Sequence, residues 1–338
     1  MVEKSVTVTA AIRVLVDGAS GYLGNHVVAA LLSRGLAVNA LVRPQVAAAD
    51  RDFLKNAGAQ VFAADLSVFQ PEQPTAQRRT LEEAFAGVTH AVHLIGSIAP
   101  AKSEKFSQLH QEQSQAFASW CVRAQEKSQF VKAAMVTALG ADQSAASEYL
   151  RSKRESELAL VAGLGQAHIS SSIFRPSLIV GRSVGRRDSK LVKRYRELAR
   201  TRPFVPLING GRNLVQPVFV CDLADAIVAS LVAGQGDQAG NQIFEIGGAQ
   251  PLSMKEVVQA LMTTLDIKKT FVDIPLPLAL TAAKLMQRLQ EVPLLSADQV
   301  RMTSFDNICR DNALVSLIGR APTSLADALA TYKNWDGD

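Results

Sequence analysis

Val14-Leu-Val-Asp-Gly-Ala-Ser-Gly-Tyr-Leu-Gly24 is the stretch on which the reading of this chain turns. The apolar run from Ile12 to Val16 reads as a buried strand ending at Asp17. Gly18, Gly21 and Gly24 follow at intervals of three, and Leu23, Val27, Val28, Leu31 and Leu32 then share one face of a helix. The first glycine permits a tight turn, the second lets backbone approach a phosphate, and the third lets the helix pack on the strand. The helix N-terminus offers free N–H groups and a partial positive charge to a pyrophosphate. Strand, glycine turn and helix in that order predict a dinucleotide site.

Working outward, Ala37–Val42 reads as a second strand ending in Arg43-Pro44, and Gln60–Ala63 as a third leading to Asp65. His90–Ile95 is a fourth, stopping at Gly96; Phe130–Val136 and Ile169–Phe174 are the fifth and sixth. A polar loop is expected over Ser67–Thr80, and helical patterns fill the other intervals, including Lys105–Lys127 and Ala145–Val161. This alternation predicts an α/β fold: a doubly wound, parallel, Rossmann-type sheet built from right-handed βαβ units. After Arg175-Pro176 the regularity changes. Residues 182–202 are dense in Arg and Lys and read as an exposed lid-type helix, and Val215–Val220 is strand-like. Asp222 is expected to cap a helix over Leu223–Val232, and Gln242–Ile246 reads as a strand. Ser253 with Glu256, and Ser296 with Gln299, form capping boxes. The division expected is a nucleotide-binding domain over 1–181, to which 214–248 returns. A smaller, mostly helical C-terminal substrate or lid region takes 182–213 and 249–338.

The 338 residues are 48% hydrophobic and 20% charged, ordinary values for a globular protein, with a net charge of +5. No basic stretch is interleaved with aromatics, which argues against nucleic acid. Cys121, Cys221 and Cys309 are too few and too scattered for a disulfide framework or a zinc knuckle, and the five histidines have no metal-ligand spacing. Met1–Thr7 lacks the apolar core of a signal peptide. No apolar run reaches the roughly 18 residues of a spanning helix. The expectation is a cytoplasmic protein that can still rest on the inner membrane.

Tyr149 and Lys153 stand four apart on an expected helix, so both project from one face. A lysine one turn from a tyrosine favours phenolate and would lower its pKa, making an acid–base pair. Thr137, at the end of the fifth strand, could donate a hydrogen bond to a substrate oxygen.

At these residues the chain resembles the short-chain dehydrogenase/reductase superfamily, in its extended or atypical branch. Gly18-Ala-Ser-Gly-Tyr-Leu-Gly24 is similar to the family's cofactor loop, and Asp65-Leu66 to its adenine-side pair. Tyr149-Leu-Arg-Ser-Lys153 is similar to its Tyr-x-x-x-Lys motif, and Phe174–Gly181 to the Arg-Pro segment that leads into the substrate domain. Val136–Asp142, Pro217–Asp222, Phe244–Gly248 and Leu294–Val300 with Asp306-Asn307 resemble bacterial relatives of the dehydrogenase-like accessory subunit of respiratory complex I.

The resemblance implies NAD(P) across the C-terminal edge of the sheet. Gly18, Gly21 and Gly24, with Ser20, Tyr22 and Leu23 of the same loop, would hold the pyrophosphate, and Asp65 with Leu66 the adenine. Leu94, Ile95 and Gly96 would run beside the nicotinamide ribose, with Pro176 also on the cofactor. Tyr149 would serve as general acid, Lys153 as ribose anchor and Thr137 as the hydroxyl partner. Two departures stand out: His110 where the family often has Asn, and Thr137 where Ser is usual.

An acidic residue closing the second strand would repel a 2′-phosphate; here Arg43 stands there and can pair with one, which favours NADP(H) over NAD(H). A solvated arginine is the plainer reading. The basic run from Arg182 to Arg202 suits either a solvated helix face or a docking surface for anionic lipid or an acidic partner. Residues 271–286 are strongly apolar, as core or as a flank for a quinone- or isoprenoid-like substrate. The leading expectation is an oxidoreductase moving hydride between NADP(H) and a carbonyl or alcohol on a small apolar substrate. A non-catalytic nucleotide-binding assembly protein associated with a respiratory complex is the second reading, and a sugar-nucleotide-type epimerase or dehydratase the third.

Overall fold

The computed structural model describes residues 12–66, 76–98, 105–127, 129–233, 240–289 and 295–333. Met1–Thr7 and most of the loop expected over Ser67–Thr80 lie outside them.

Strand β1 (Arg13–Asp17) lies inside a seven-stranded sheet. β2 (Ala37–Val42) and β3 (Gln60–Ala63) extend it on one side. β4 (His90–His93), β5 (Lys132–Val136), β6 (Ser170–Pro176) and the strand Asn241–Ile246 extend it on the other. Every pairing is parallel. The order reverses between β1 and β4, and the crevice outside the strand ends at such a reversal is where doubly wound sheets take ligands.

Period-two alternation along β1 builds both faces. Val14 and Val16 are buried with Val27, Val28 and Leu31 of α1 (Tyr22–Ser33) and Leu54 of α2 (Ala48–Asn56). Leu15, between them, points the other way, into a core with Leu81 of α3 (Ala76–Phe85), Phe117 of α4 (Gln113–Lys127) and Leu160 of α5 (Glu148–Gly165). A π-helical turn, Gln108–Glu112, precedes α4 and places His110 inward.

Beyond the sheet, α6 (Lys190–Thr201) is the helix of the basic run, with Val192 and Ala199 buried. α7 (Val220–Val232) packs back on the α1 face. It begins earlier than expected and no side chain caps it. Asp222 sits instead inside its first turn, fully buried, accepting from the Thr323 N–H and hydroxyl and pairing with Arg320 at 2.7 Å. The capping role read for Asp222 is therefore corrected, because a carboxylate one turn in can meet the chain returning a hundred residues later.

α8 (Met254–Thr264) starts at the Ser253–Glu256 capping box as expected. A small parallel pair joins Phe204–Ile208 to Thr270–Ile274. α9 (Leu276–Leu289) packs through Ala279 and Ala283 on Ala297 and Val300 of α10 (Ala297–Met302). The Ser296–Gln299 box caps α10 as expected. None of the described helices is long and apolar enough to cross a membrane.

Candidate active site

The turn after β1 is set by close approach. Gly18 has φ +59°, and a Cβ there would lie 3.1 Å from the Leu94 carbonyl carbon. A Cβ at Gly24 would stand 2.3 Å from the Gly18 carbonyl oxygen, so only glycine lets α1 come this near the turn. No side chain caps α1 and its first turn holds no acid, which leaves its positive end open. The cradle fits a dinucleotide phosphate.

Tyr22 and Ser20 take other work in the same loop. The Tyr22 hydroxyl donates to the Gly181 carbonyl at 2.5 Å, tying the loop to the chain that leaves the sheet, and Ser20 is nearly buried. Arg43 is exposed beyond β2, and no ion-pair partner is found for it among the described residues. Asp50, in the first turn of α2, already faces Arg186 at 3.4 Å and Arg187 at 3.8 Å. Asp65 follows β3 with its N–H donating to Gln77 Oε1 at 3.2 Å, and Leu66 is buried beside it. Pro176 is buried at the end of β6, where its carbonyl accepts from the Leu139 N–H.

A cleft of about 150 Å³ opens where the β1 and β4 ends diverge. Leu23, Leu94, Gly96, Ser97, Ile98, Val136, Thr137, Tyr149 and Lys153 line it, six of them among the residues picked out from sequence. The Lys153 ammonium is nearly buried and makes no hydrogen bond among the described residues; it stands 6.0 Å from the centre of the Tyr149 ring. A Cβ on Gly96 would lie 2.7 Å from that ammonium, so any side chain here would have to displace Lys153. The Tyr149 hydroxyl likewise has no hydrogen-bond partner among the described residues.

Two expectations about these groups are corrected. Tyr149 was expected to have a lowered pKa, but burial raises it, because the desolvation of a phenolate outweighs an ammonium that far from the ring. Burial also brings Lys153 down to about 8, with Glu157 and Asp17 pulling the other way. Thr137 does not offer its proton to the cleft: its hydroxyl donates to Glu157 Oε1 at 2.7 Å. Glu157, fully buried, is held in turn by a bidentate pair with Arg175 at 2.9 and 2.6 Å.

Behind the cleft runs a buried polar network through Asp17, His93, Ser114, His110 and Ser152. The Asp17 carboxylate meets His93 Nδ1 at 2.5 Å and accepts from the N–H groups of Leu94 (2.6 Å) and Ile95 (3.2 Å). His93 Nε2 lies 3.2 Å from the Ser114 hydroxyl, which donates to the His110 carbonyl. His110 Nε2 accepts from the Ser97 N–H. Ser152 spends its own proton on the Tyr149 carbonyl, so His110 Nδ1–H must donate to Ser152 at 2.7 Å. Burial, then Lys153, lowers the His110 pKa to about 2, which keeps the ring neutral in that tautomer. The only sequence signal for this network was polar residues inside apolar patterns, at Asp17, His93 and His110.

Residues 11–133 match the NmrA-like family. The chain is 26% identical over 308 residues to the mitochondrial NADH dehydrogenase (ubiquinone) 1 alpha subcomplex subunit 9 of Arabidopsis thaliana, covering 88% of this chain and 71% of that one. It is also 26% identical over 308 residues to a 4-hydroxy-2-methyl-3-oxo-4-farnesyl-3,4-dihydroquinoline-1-oxide ketoreductase of Stigmatella aurantiaca, covering 87% and 86%. In fold it resembles an NADPH-dependent quinone oxidoreductase solved with NADPH from Escherichia coli (TM-score 0.68, 18% identity, 95% of this chain and all of the other).

Proposed function

We propose that this chain, an NAD(P)-binding Rossmann protein of the extended short-chain dehydrogenase/reductase kind, is an NADP(H)-dependent oxidoreductase. It would move hydride between the cofactor and a carbonyl or alcohol carbon of an apolar, quinone-like substrate. The observation that carries this reading is a tyrosine hydroxyl and a lysine ammonium that line one cleft, neither with a hydrogen-bond partner among the described residues.

The glycine turn at Gly18, Gly21 and Gly24 would hold the pyrophosphate, Asp65 and Leu66 the adenine side, and Lys153 the ribose. When bound, the dinucleotide supplies or takes the hydride. Tyr149, kept protonated by burial, gives its proton to the carbonyl oxygen of the substrate, and the Lys153 ammonium stabilises the phenolate left behind. His110 and Asp17 hold the Leu94–Ser97 backbone that walls the cleft. Arg43 at the β2 end, exposed and without an ion-pair partner among the described residues, supports NADP(H). An apolar substrate is supported by the name of the Stigmatella relative, a ketoreductase of a farnesylated quinoline oxide.

The test is calorimetric titration with NADPH and NADH, followed by NADPH oxidation with menadione. Tyr149→Phe should keep NADPH binding and lose about a hundredfold in kcat. Equal turnover by the variant, or no nucleotide binding, overturns the reading. A second reading, a nucleotide-binding assembly subunit, is favoured by the engaged Thr137 hydroxyl and by the likeness to the Arabidopsis complex I subunit. It predicts NADPH binding without turnover and co-purification with a respiratory complex from the inner membrane.

A further inference from the structure

α5 carries both Tyr149 and Lys153, and its first N–H groups need acceptors, as at any helix start. Ser147 accepts from the Leu150 N–H through its hydroxyl at 3.0 Å. The two N–H groups before it are met from far along the chain. Asp298 Oδ1 accepts from the Glu148 N–H at 2.9 Å, and Asp298 Oδ2 from the Tyr149 N–H at 3.1 Å. One carboxylate, about nine-tenths buried, thus completes the cap of the helix and grips the backbone of Tyr149 itself.

Asp298 belongs to α10, outside the sheet. The Ser296–Gln299 capping box sets the turn it sits in, and Gln299 Oε1 also accepts from Arg194 of α6 at 3.2 Å. Ala297 and Val300 seat the same turn on α9. α6 and α9 therefore both bear on the turn of α10 that carries Asp298, whose two oxygens reach across to the tyrosine helix. Backbone grip matters here because the reacting hydroxyl has no hydrogen-bond partner among the described residues, so its position follows from where the first turn of α5 lies.

We propose that Asp298 is a positioning residue for Tyr149: it fixes the first turn of the tyrosine helix against the C-terminal helices, so the cleft side chain is aligned only while those helices are docked. The proposal rests on the reading of Tyr149 as proton donor. An error of about 1 Å in such a group costs on the order of a hundredfold in rate.

The test uses the full chain with NADPH and menadione, alongside amide hydrogen exchange at residues 148 and 149. Asp298→Ala should lower kcat tenfold or more, leave KM for NADPH within twofold, and speed exchange of the Tyr149 amide about tenfold. Asp298→Asn, which keeps one of the two acceptor oxygens and turns an amide NH2 towards the other N–H, should restore part of both losses, since it can still hold one of the two N–H groups. Unchanged kcat, or equal losses in the Ala and Asn variants, overturns the proposal. Should the wild-type chain oxidise no NADPH, the reading of Tyr149 fails separately. Exchange then decides alone, and an unaltered Tyr149 amide in Asp298→Ala overturns the positioning role.

Discussion

The Asp17 carboxylate and the His93 imidazole lie 2.5 Å apart with no access to water, joining the end of the first strand to the fourth. Asp17 also holds the Leu94 and Ile95 N–H groups, so one side chain shapes both walls of the crevice. Removing one member leaves its partner buried without a match, at a cost of about 3–5 kcal/mol. Asp17→Ala should therefore lower the unfolding free energy by that order in urea titration and weaken NADPH binding. Replacing His93 by Gln, which can still donate to the carboxylate, should cost less on both counts. Equal stability of Asp17→Ala and wild type would remove the network from the account.

Lys153 is held against its own solvation. At pH 7 it is charged in folded and unfolded chains alike, and burial of that charge, which brings its pKa to about 8, opposes folding. The opposition is complete below about pH 8 and fades as pH rises from there towards the ordinary lysine value. Lys153→Met should accordingly raise the unfolding free energy at pH 7, by about 1–3 kcal/mol, while weakening nucleotide binding. The stability gain should shrink above pH 8, which urea titrations at pH 7 and pH 9.5 measure directly.

Arg43 is exposed and free to turn towards a ligand. Arg43→Ala should weaken NADPH about tenfold and leave NADH nearly unaffected, corresponding to a lost charge-assisted contact of about 1.4 kcal/mol. Parallel calorimetry with the two nucleotides provides the comparison. Equal loss for both would make Arg43 a general surface charge and remove the argument for NADP(H).

Thr137 gives the proposed chemistry a second internal control. Its proton goes to Glu157, which Arg175 also holds, so its loss should disturb that buried pair more than the reaction. Thr137→Ser should behave as wild type. Thr137→Val should lose less than tenfold in kcat but about 1–2 kcal/mol in stability, from a lost hydrogen bond to a buried carboxylate that keeps Arg175. A hundredfold drop in kcat at unchanged stability would instead make the hydroxyl a participant in turnover.

Much of the architecture could be read directly from residue order. The six strands through β6 follow from short apolar runs, and the Ser253 and Ser296 boxes from side chains three residues from their targets, because such contacts depend on local spacing alone. The glycine turn was legible for the same reason: the backbone that would collide with a Cβ at Gly24 is only six residues away. Asp222 marks where this ends, since its partners Thr323 and Arg320 are about a hundred residues distant and turned an expected cap into a buried anchor.

Around the cleft the balance shifts to tertiary structure. Helical spacing put Tyr149 and Lys153 on one face, yet the depth at which α5 is buried decided that the phenol keeps its proton and the amine is pressed to lose one. Asp17 with His93, Thr137 with Glu157 and Asp298 with Tyr149 are separated by 76, 20 and 149 residues. Period and propensity describe which face a residue takes, and they determined the strands, the turn and the tyrosine–lysine pair. Which charges meet, and how far from water, is decided only when packed elements exclude solvent and bring groups distant in sequence within reach of one another.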